Sequence, residues 1–335
     1  MPHKVKRDSH THGRWRRFAV ASFFLLPLLG AAAARAQSYP THPVRLISDS
    51  AAGSAVDVSL RIIADGLTRV WGQQAAVINQ PGAGGAIAAH AAAAAAPDGY
   101  MLFMPAFSAF VALPGVADNL PIVLPRDFVP VGSLGGAPMF ITAADWLNVK
   151  TLPELIALAK QKPGELTYGT NGAGRLTNLT GELLQNRAGI KLLMIPYSGG
   201  TAQVLTDMMG KRIALAFDSY SGVAGAIQAG NARPLAVASD KRVALFPNLP
   251  TAAETLPGFE SNGWQVLVAP IGTPDAVVQK ANADLRKALA DPDVQDRLAK
   301  LGRTDTPMSP EQTLAFIRAE QEKWAPILKL IGAGH

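Results

Sequence analysis

Cysteine is absent from the 335 residues, and only six histidines are present. Without cysteine the protein has no disulfide bonds and no thiolate nucleophile, so its stability must come from its packed core. Three of the histidines, His42, His90 and His335, follow the N-terminal leader described below. No pair of them has a metal-ligand spacing, and His90 lies in an alanine-rich segment typical of a helix surface. These absences argue against zinc-dependent catalysis and against a Ser-His-Asp hydrolase.

Two serines that follow predicted strands are candidate nucleophiles. Ser198 lies in Tyr197-Ser198-Gly199-Gly200, and Ser108 lies in Phe107-Ser108-Ala109. Neither has the small-x-Ser-x-small pattern of a nucleophile elbow. The run from Pro81 to Gly85 resembles a dinucleotide-binding loop only loosely. We therefore expect no enzyme activity, no catalytic residue, no metal and no cofactor.

The first 36 residues predict a secretory signal peptide. Arg14, Arg16 and Arg17 precede an apolar run of about a dozen residues that is too short to span a bilayer. Ala34-Arg35-Ala36 supplies small residues at a cleavage site, which predicts a mature chain beginning at Gln37. The arginine pair leaves both the general secretory route and the twin-arginine route open.

Removing the leader changes the meaning of the net charge. The leader contains seven of the 31 Lys and Arg residues and one of the 25 Asp and Glu residues, so the remaining chain carries 24 of each. The formal charge of +6 therefore belongs mostly to the leader, and it gives no reason to expect nucleic-acid binding.

Alternating strand and helix patterns fill the rest of the chain and predict an α/β fold built from parallel sheets. Val44–Ser48 is a short strand, and apolar residues at helical spacing follow from about Asp57. The pattern repeats twice before residue 105 and resumes with the predicted strand 166–170. Two further strands are predicted at 131–134 and 139–142. Two βα blocks, with crossings near 140 and 260, predict two lobes with a cleft between them.

Two stretches of small residues connect a strand to a helix. We call residues 49–54 the first turn and residues 171–174 the second turn. Such a turn leaves backbone N–H groups unpaired at the positive end of a helix dipole, which suits a carboxylate or phosphate. Because both turns follow strand C-terminal ends, we expect them to face one cleft.

Arg175 and Asp218 are the charged candidates beside these turns. Arg175 follows the second turn at a helix N-terminus, where the helix dipole disfavours a cation. It is either a solvated surface arginine or a guanidinium that pairs with a ligand carboxylate. Asp218 is placed either to accept from a ligand or to cap the next turn, and we favour the cap. Trp264, Tyr197 and Phe107 are either walls of the cleft or plain core.

Several segments in a fixed order resemble the Bug family of periplasmic solute-binding receptors, which serve tripartite tricarboxylate transporters. The resemblance covers essentially the whole chain after the leader. The matching segments are Ala51-Ala52-Gly53 with Asp57, Pro81–Gly85, Ala96–Tyr100, Asp127–Val131, Lys162–Gly164, Gly181-Glu182, Pro196-Tyr197, Phe217-Asp218 and Pro250–Glu254.

The resemblance implies a two-lobed type II periplasmic binding protein, in which each lobe is a mostly parallel sheet flanked by helices. Expected boundaries are 37–140 with 261–335 for domain 1 and 141–260 for domain 2. The implied function is capture of a small carboxylate-bearing solute, held by the two turns largely through backbone groups and water. We expect a periplasmic monomer that delivers its solute to an inner-membrane permease. The alternatives are a subunit that signals to a sensor kinase, and a diverged periplasmic enzyme.

The predicted ligand-binding residues are Ser50, Ala51, Ala52, Gly53, Ser54, Ser108, Asn171, Ala173, Gly174, Arg175, Tyr197, Asp218 and Ser219. The sequence departs from the family pattern at Asp49-Ser50, where Pro-Phe is usual, and at Ser54 and Val56. Arg175 replaces a small polar residue and Asn178 replaces a common His. We expect Arg175 to favour a second ligand carboxylate, and Asp49 to favour an amine or hydroxyl on the ligand.

Overall fold

The structure is a computed structural model that describes residues 39–82, 85–111, 126–197, 199–303 and 306–330, with residues 1 and 3. The side chain of Ser108, Ser198 and nearly all of the predicted leader lie outside the described residues. Residues 42–335 form one compact unit, to which the description below refers.

The strands in the described part of the chain are, in order, β1 (Val44–Ser48), β2 (Ala75–Asn79), β3 (Met101–Met104), β4 (Phe128–Ala144), β5 (Thr167–Thr170), β6 (Leu193–Pro196), β7 (Leu215–Ser219), β8 (Ala232–Val237) and β9 (Asn262–Pro270). The α-helices are α1 (Ala55–Trp71), α2 (Ala86–Ala93), α3 (Phe107–Val111), α4 (Leu152–Gln161), α5 (Leu176–Ala188), α6 (Thr201–Met209), α7 (Tyr220–Gln228), α8 (Asp275–Leu289), α9 (Pro292–Lys300) and α10 (Pro310–Leu330).

These strands form one curled mixed sheet with the order β2-β1-β3-β9-β4-β7-β5-β6, and β8 also pairs with β4. The strands β1, β2 and β3 are parallel, as are β5, β6 and β7. The long strands β4 and β9 run antiparallel to each other and to their neighbours. The α/β fold with two lobes is confirmed, and each lobe has a parallel triplet completed by antiparallel crossing strands.

Strand β4 is a single strand where the sequence predicts two. The glycines and proline between residues 135 and 138 resemble a break, yet pairing with β9 keeps this segment extended. The pairing register shifts between Pro130 and Gly132 and again between Ser133 and Gly136. These irregularities bend the strand, so that its first half belongs to one lobe and its second half to the other.

Local signals explain where helix α1 begins and ends. Ser54 caps it by accepting a hydrogen bond from the N–H of Asp57 at 3.3 Å, and Gly72 ends it in the left-handed conformation with φ of 63°. The helix starts at Ala55, two residues before the predicted start, because the cap is Ser54.

The alanine helix α2 packs directly against β1 and β3, with Ala88, Ala89 and Ala92 fully buried. It ends at Ala93. Helix α10 begins with a capping box, in which Ser309 and Gln312 exchange side-chain-to-backbone hydrogen bonds at 3.2 and 2.9 Å. Among the described residues, no helix combines the length and hydropathy that crossing a bilayer requires.

Candidate functional site

A cavity of about 690 Å³ lies between the lobes. Its lining comes from the C-terminal ends of parallel strands β1, β5, β6 and β7 and from the starts of helices α1, α5, α6 and α7. Parallel strands and the helices that follow them direct helix N-termini toward one edge of a sheet. The cavity therefore has several positive dipole ends in its wall, which favours an anionic ligand group.

The first turn holds its backbone in place through a buried carboxylate. Asp57 Oδ2 accepts from the N–H of Gly53 at 2.8 Å and from Nε of Arg61 at 3.0 Å, and Oδ1 accepts from Asn79 at 2.9 Å. Burial alone raises the pKa of Asp57, but these hydrogen bonds outweigh burial and lower it. Among the described residues, the N–H groups of Ala51 and Ala52 have no hydrogen-bond acceptor. They remain available to a ligand.

The second turn is held by hydroxyl and amide groups. The N–H of Asn171 donates to Thr177 Oγ1 at 3.1 Å, and the N–H of Gly174 donates to Asn178 Oδ1 at 2.9 Å. Asn178 is 3% exposed and also donates to the hydroxyl of Tyr168 at 2.9 Å. Asn178 therefore supports the turn from behind.

Asp218 closes the other side of the cavity. It lies within β7, and Ser219 rather than Asp218 is the N-cap of α7. One carboxylate oxygen accepts from the N–H of Ser219 at 2.7 Å, and the other accepts from the hydroxyl of Thr201. Burial raises the pKa of Asp218, and these hydrogen bonds oppose that effect. The predicted cap is thus one residue off, although Asp218 does bond the first N–H of the turn.

Asp49 and Arg175 approach each other across the cavity. Arg175 Nη1 lies 3.9 Å from Asp49 Oδ2, within ion-pair range but beyond hydrogen-bond range. Burial raises the pKa of Asp49, whereas Arg175, the backbone of Ala106 and Ser50 lower it. Arg175 is neither a fully solvated surface residue nor directed only at a ligand, because an acid of this chain already lies beside it.

Arg303 and Gln265 are among the polar residues of the cavity wall that sequence reasoning missed. Arg303 donates to the carbonyl of Leu134 at 3.3 Å, and burial lowers its pKa to about 10, so it stays cationic at neutral pH. It follows α9 in an ordinary loop, and no local pattern marks it. Gln265 is the one polar side chain in the run Trp264–Val268 of β9, and that interruption was a usable signal.

Most predicted site residues line the cavity. They are Ser50, Ala51, Ala52, Gly53, Ser54, Asn171, Arg175, Tyr197, Asp218 and Ser219. Ala173 and Gly174 belong to the second turn but do not line the cavity, and the side chain of Ser108 lies outside the described residues.

Aromatic rings and a histidine complete the inventory of predicted residues. Trp264 and Phe107 form part of the wall and stack edge to face with centroids 5.1 Å apart. Burial and a hydrogen bond to Asp207 raise the pKa of Tyr197 to about 12. His90 is exposed, and its Nδ1 lies 2.8 Å from the carbonyl of Ala86. Within the described ranges, no three His, Asp or Glu side chains cluster closely enough to hold a metal ion.

Several known proteins resemble this chain in both sequence and fold. BugT of Bordetella pertussis is 34% identical over 320 residues, covering 95% of this chain and 98% of that protein. The solved structure of the periplasmic binding protein BugD has a TM-score of 0.80 at 33% identity, covering 88% of this chain and 99% of BugD. A structure of an R. palustris protein with adipate has a TM-score of 0.82 at 30% identity, covering 88% and 98% of the two chains.

A further structure, MatC from Rhodopseudomonas palustris with bound malate, has a TM-score of 0.79 at 28% identity, covering 87% of this chain and all of MatC. The profile of the family described as tripartite tricarboxylate transporter family receptor matches residues 59–333. That match spans both lobes and includes the second turn, β7 and the C-terminal helices. The chain therefore belongs to the tripartite tricarboxylate transporter family of receptors.

Proposed function

We propose that this protein captures a small carboxylate-bearing solute in the cavity between its lobes and delivers it to a membrane permease of the tripartite tricarboxylate type. The observation that carries the proposal is the first turn, where the N–H groups of Ala51 and Ala52 have no acceptor among the described residues and line the cavity. A carboxylate oxygen accepts such N–H groups well, and the dipole of α1 adds to the attraction. The related structures with adipate and malate support the same ligand class.

The proposed receptor is a periplasmic monomer. One lobe consists of residues 37–140 and 261–335, and the other consists of residues 141–260. The two lobes are connected through β4 and β9 and close around the solute. The register shifts in β4 near residues 130–136 are the natural place for bending, as in the hinge closure of periplasmic binding proteins. Sequencing the N-terminus of the exported protein tests the leader, and the expected first residue is Gln37.

A thermal-shift screen, followed by calorimetry, tests the ligand class. The protein is expressed from its full-length sequence, purified after export and screened against mono-, di- and tricarboxylates, aromatic acids and acidic amino acids. A ligand at a hundred times its Kd adds ~2.7 kcal/mol to stability, which raises Tm by a few degrees. If no carboxylate raises Tm, the proposed function is wrong.

Variants then locate the site. Ser54→Leu fills the first turn and Arg175→Ala removes the guanidinium beside the second turn, and both should weaken binding at least tenfold. Arg187→Ala is the matched control, because Arg187 is exposed at the opposite end of the same helix α5. Circular dichroism checks that each variant is folded. Undiminished binding in both cavity variants would place the solute elsewhere.

Uptake distinguishes transport from sensing. Cells that lack this protein should lose uptake of the solute found in the screen, and the Ser54→Leu variant should not restore it. Normal uptake together with loss of a transcriptional response to the solute would favour the alternative partner, a sensor kinase. Turnover of the solute by the purified protein would favour a diverged enzyme.

A further inference from the structure

The charged side chains of the cavity wall balance one another. Among the described residues, those lining the cavity are Asp49, Asp218, Arg175 and Arg303, two acids and two bases. A plain dicarboxylate brings two negative charges to a wall in which Arg175 already has the acid Asp49 within ion-pair range. A ligand that carries charges of both signs is electrostatically more complementary to such a wall.

Asp49 presents a carboxylate oxygen that has no donor. The residue is 2% exposed, and Oδ2 makes no hydrogen bond. Arg175 Nη1, at 3.9 Å, is too distant to donate. Gly85 lies against the same oxygen, and a Cβ at that position would be 2.5 Å from it. A buried carboxylate oxygen without a donor is unfavourable, so this atom calls for a donor from a bound molecule.

Gln265 presents a buried donor without a partner to the same cavity. Its Oε1 lies 3.1 Å from the hydroxyl of Ser59, from which it accepts, and that hydroxyl is also 2.8 Å from the carbonyl of Val56. The Nε2 of the same amide is buried and has no hydrogen-bond partner. Gln265 is 5% exposed and lines the cavity.

We propose that the solute is a carboxylate that also carries a protonated amine, with Asp49 as the residue that selects the amine. This inference rests on the proposed function and names the substrate class of the same site. The carboxylate lies at the N–H groups of the first turn. The ammonium, which has three N–H donors and no acceptor, donates to Asp49. The Gln265 Nε2 donates a further hydrogen bond to an oxygen of the solute.

Calorimetry with matched acids tests the proposal. The probes are succinate, glutarate and adipate, their 2-amino counterparts aspartate, glutamate and 2-aminoadipate, and their 2-hydroxy counterparts. At least one amino acid should bind tenfold or more tightly than its unsubstituted parent and its hydroxy counterpart. Asp49→Asn should remove most of that preference, because the neutral amide keeps the size of the side chain but loses its charge. Asp240→Asn, which alters an exposed acid outside the cavity, should keep it.

Each result bears on one of the two proposals. Tighter binding of the unsubstituted or hydroxy acids would overturn this inference and leave the proposed function standing. A preference for amines that survives Asp49→Asn would also overturn it, because Asp49 would then be a structural residue. Binding of none of these probes, or of any other carboxylate, would overturn both. A changed Tm in Asp49→Asn without a changed ratio of affinities counts against the inference.

Discussion

The first and second turns share a backbone plan but differ in what holds them. A charged carboxylate, Asp57, supports the first turn from behind, and it is joined to Arg61 and Asn79. A neutral amide, Asn178, supports the second, together with the hydroxyl of Thr177. In both, one N–H of the turn is bonded to a side chain on the helix that follows, four residues later in sequence.

The difference shows that one binding geometry can be built with opposite electrostatics. The positive end of α1 stabilises the negative charge of Asp57, and Arg61 balances that charge. The first turn therefore carries no net charge. The neutral support behind the second turn leaves room for a cation, Arg175, at the start of α5. The first turn is thus supported by an acid, and the second turn by an amide with a cation beside it. The following experiments separate what each support contributes to stability.

Replacing Asp57 should have the largest effect on stability. Asp57→Ala leaves the N–H of Gly53 without an acceptor, the Asn79 amide with only the carbonyl of Ser50, and Arg61 without its ion-pair partner. Because Arg61 is half exposed and water can solvate it, we expect a loss of ~3 kcal/mol in the free energy of unfolding. Urea unfolding measures it. A loss below that of the next variant would reverse the comparison.

Replacing Asn178 should have a smaller effect. Asn178→Ala removes the acceptor of the Gly174 N–H and a donor to Tyr168 and, at 3.3 Å, to the carboxylate of Glu182, but it removes no charge. We expect a loss of ~2 kcal/mol, measured by the same urea unfolding experiment. Asn186→Ala is the control, because Asn186 is exposed on the same helix and its replacement should leave stability nearly unchanged. If Asn178→Ala and Asn186→Ala lost equal amounts of stability, Asn178 would not be the support described here.

The pH dependence should distinguish the two supports. The folded-state pKa of Asp57 is lower than the ordinary 3.8, so its stabilising contribution is present above 3.8 and is lost as the pH falls through the folded-state value. The stability difference between wild type and Asp57→Asn should therefore stay constant from pH 7 down to about 4 and shrink at lower pH. The deficit of Asn178→Ala should stay constant, because an amide does not titrate there. Chemical unfolding at several pH values measures both, and a constant deficit in Asp57→Asn would contradict the assignment.

A change in the backbone of the first turn should have the smallest effect. Gly53 has φ of 78°, and a Cβ there would meet no atom within 4 Å. Gly53→Ala therefore adds backbone strain without a steric clash, and we expect a loss of ~1 kcal/mol. Thermal unfolding measures the loss. A much larger value would show that the turn tolerates no shift of its N–H groups.

The order of helices and strands could be predicted from local sequence patterns, whereas contacts between residues distant in sequence could not. The helix caps at Ser54, Thr151 and Ser309 are encoded locally, because each side chain accepts from a backbone N–H three residues later. The single strand β4 was missed because its continuity depends on pairing with β9, more than a hundred residues later.

The predicted cavity residues show the same limit. The two turns were found because a strand, small residues and a helix are contiguous in sequence. Arg303 was missed because its partner, the carbonyl of Leu134, is 169 residues away. The approach of Asp49 to Arg175 likewise depends on how the lobes meet, which no local pattern encodes.

The late position of α10 in the sequence has a consequence for the order of folding. This helix packs against β4 and α3, and it also contacts α5. The core around β4 and α3 cannot be fully buried until residues 310–330 have been synthesised. The strands β5 to β8 come from one continuous stretch, with only local connections to form. A protein truncated before residue 310 should thus keep β5 to β8 ordered, while the core around β4 and α3 stays incompletely packed.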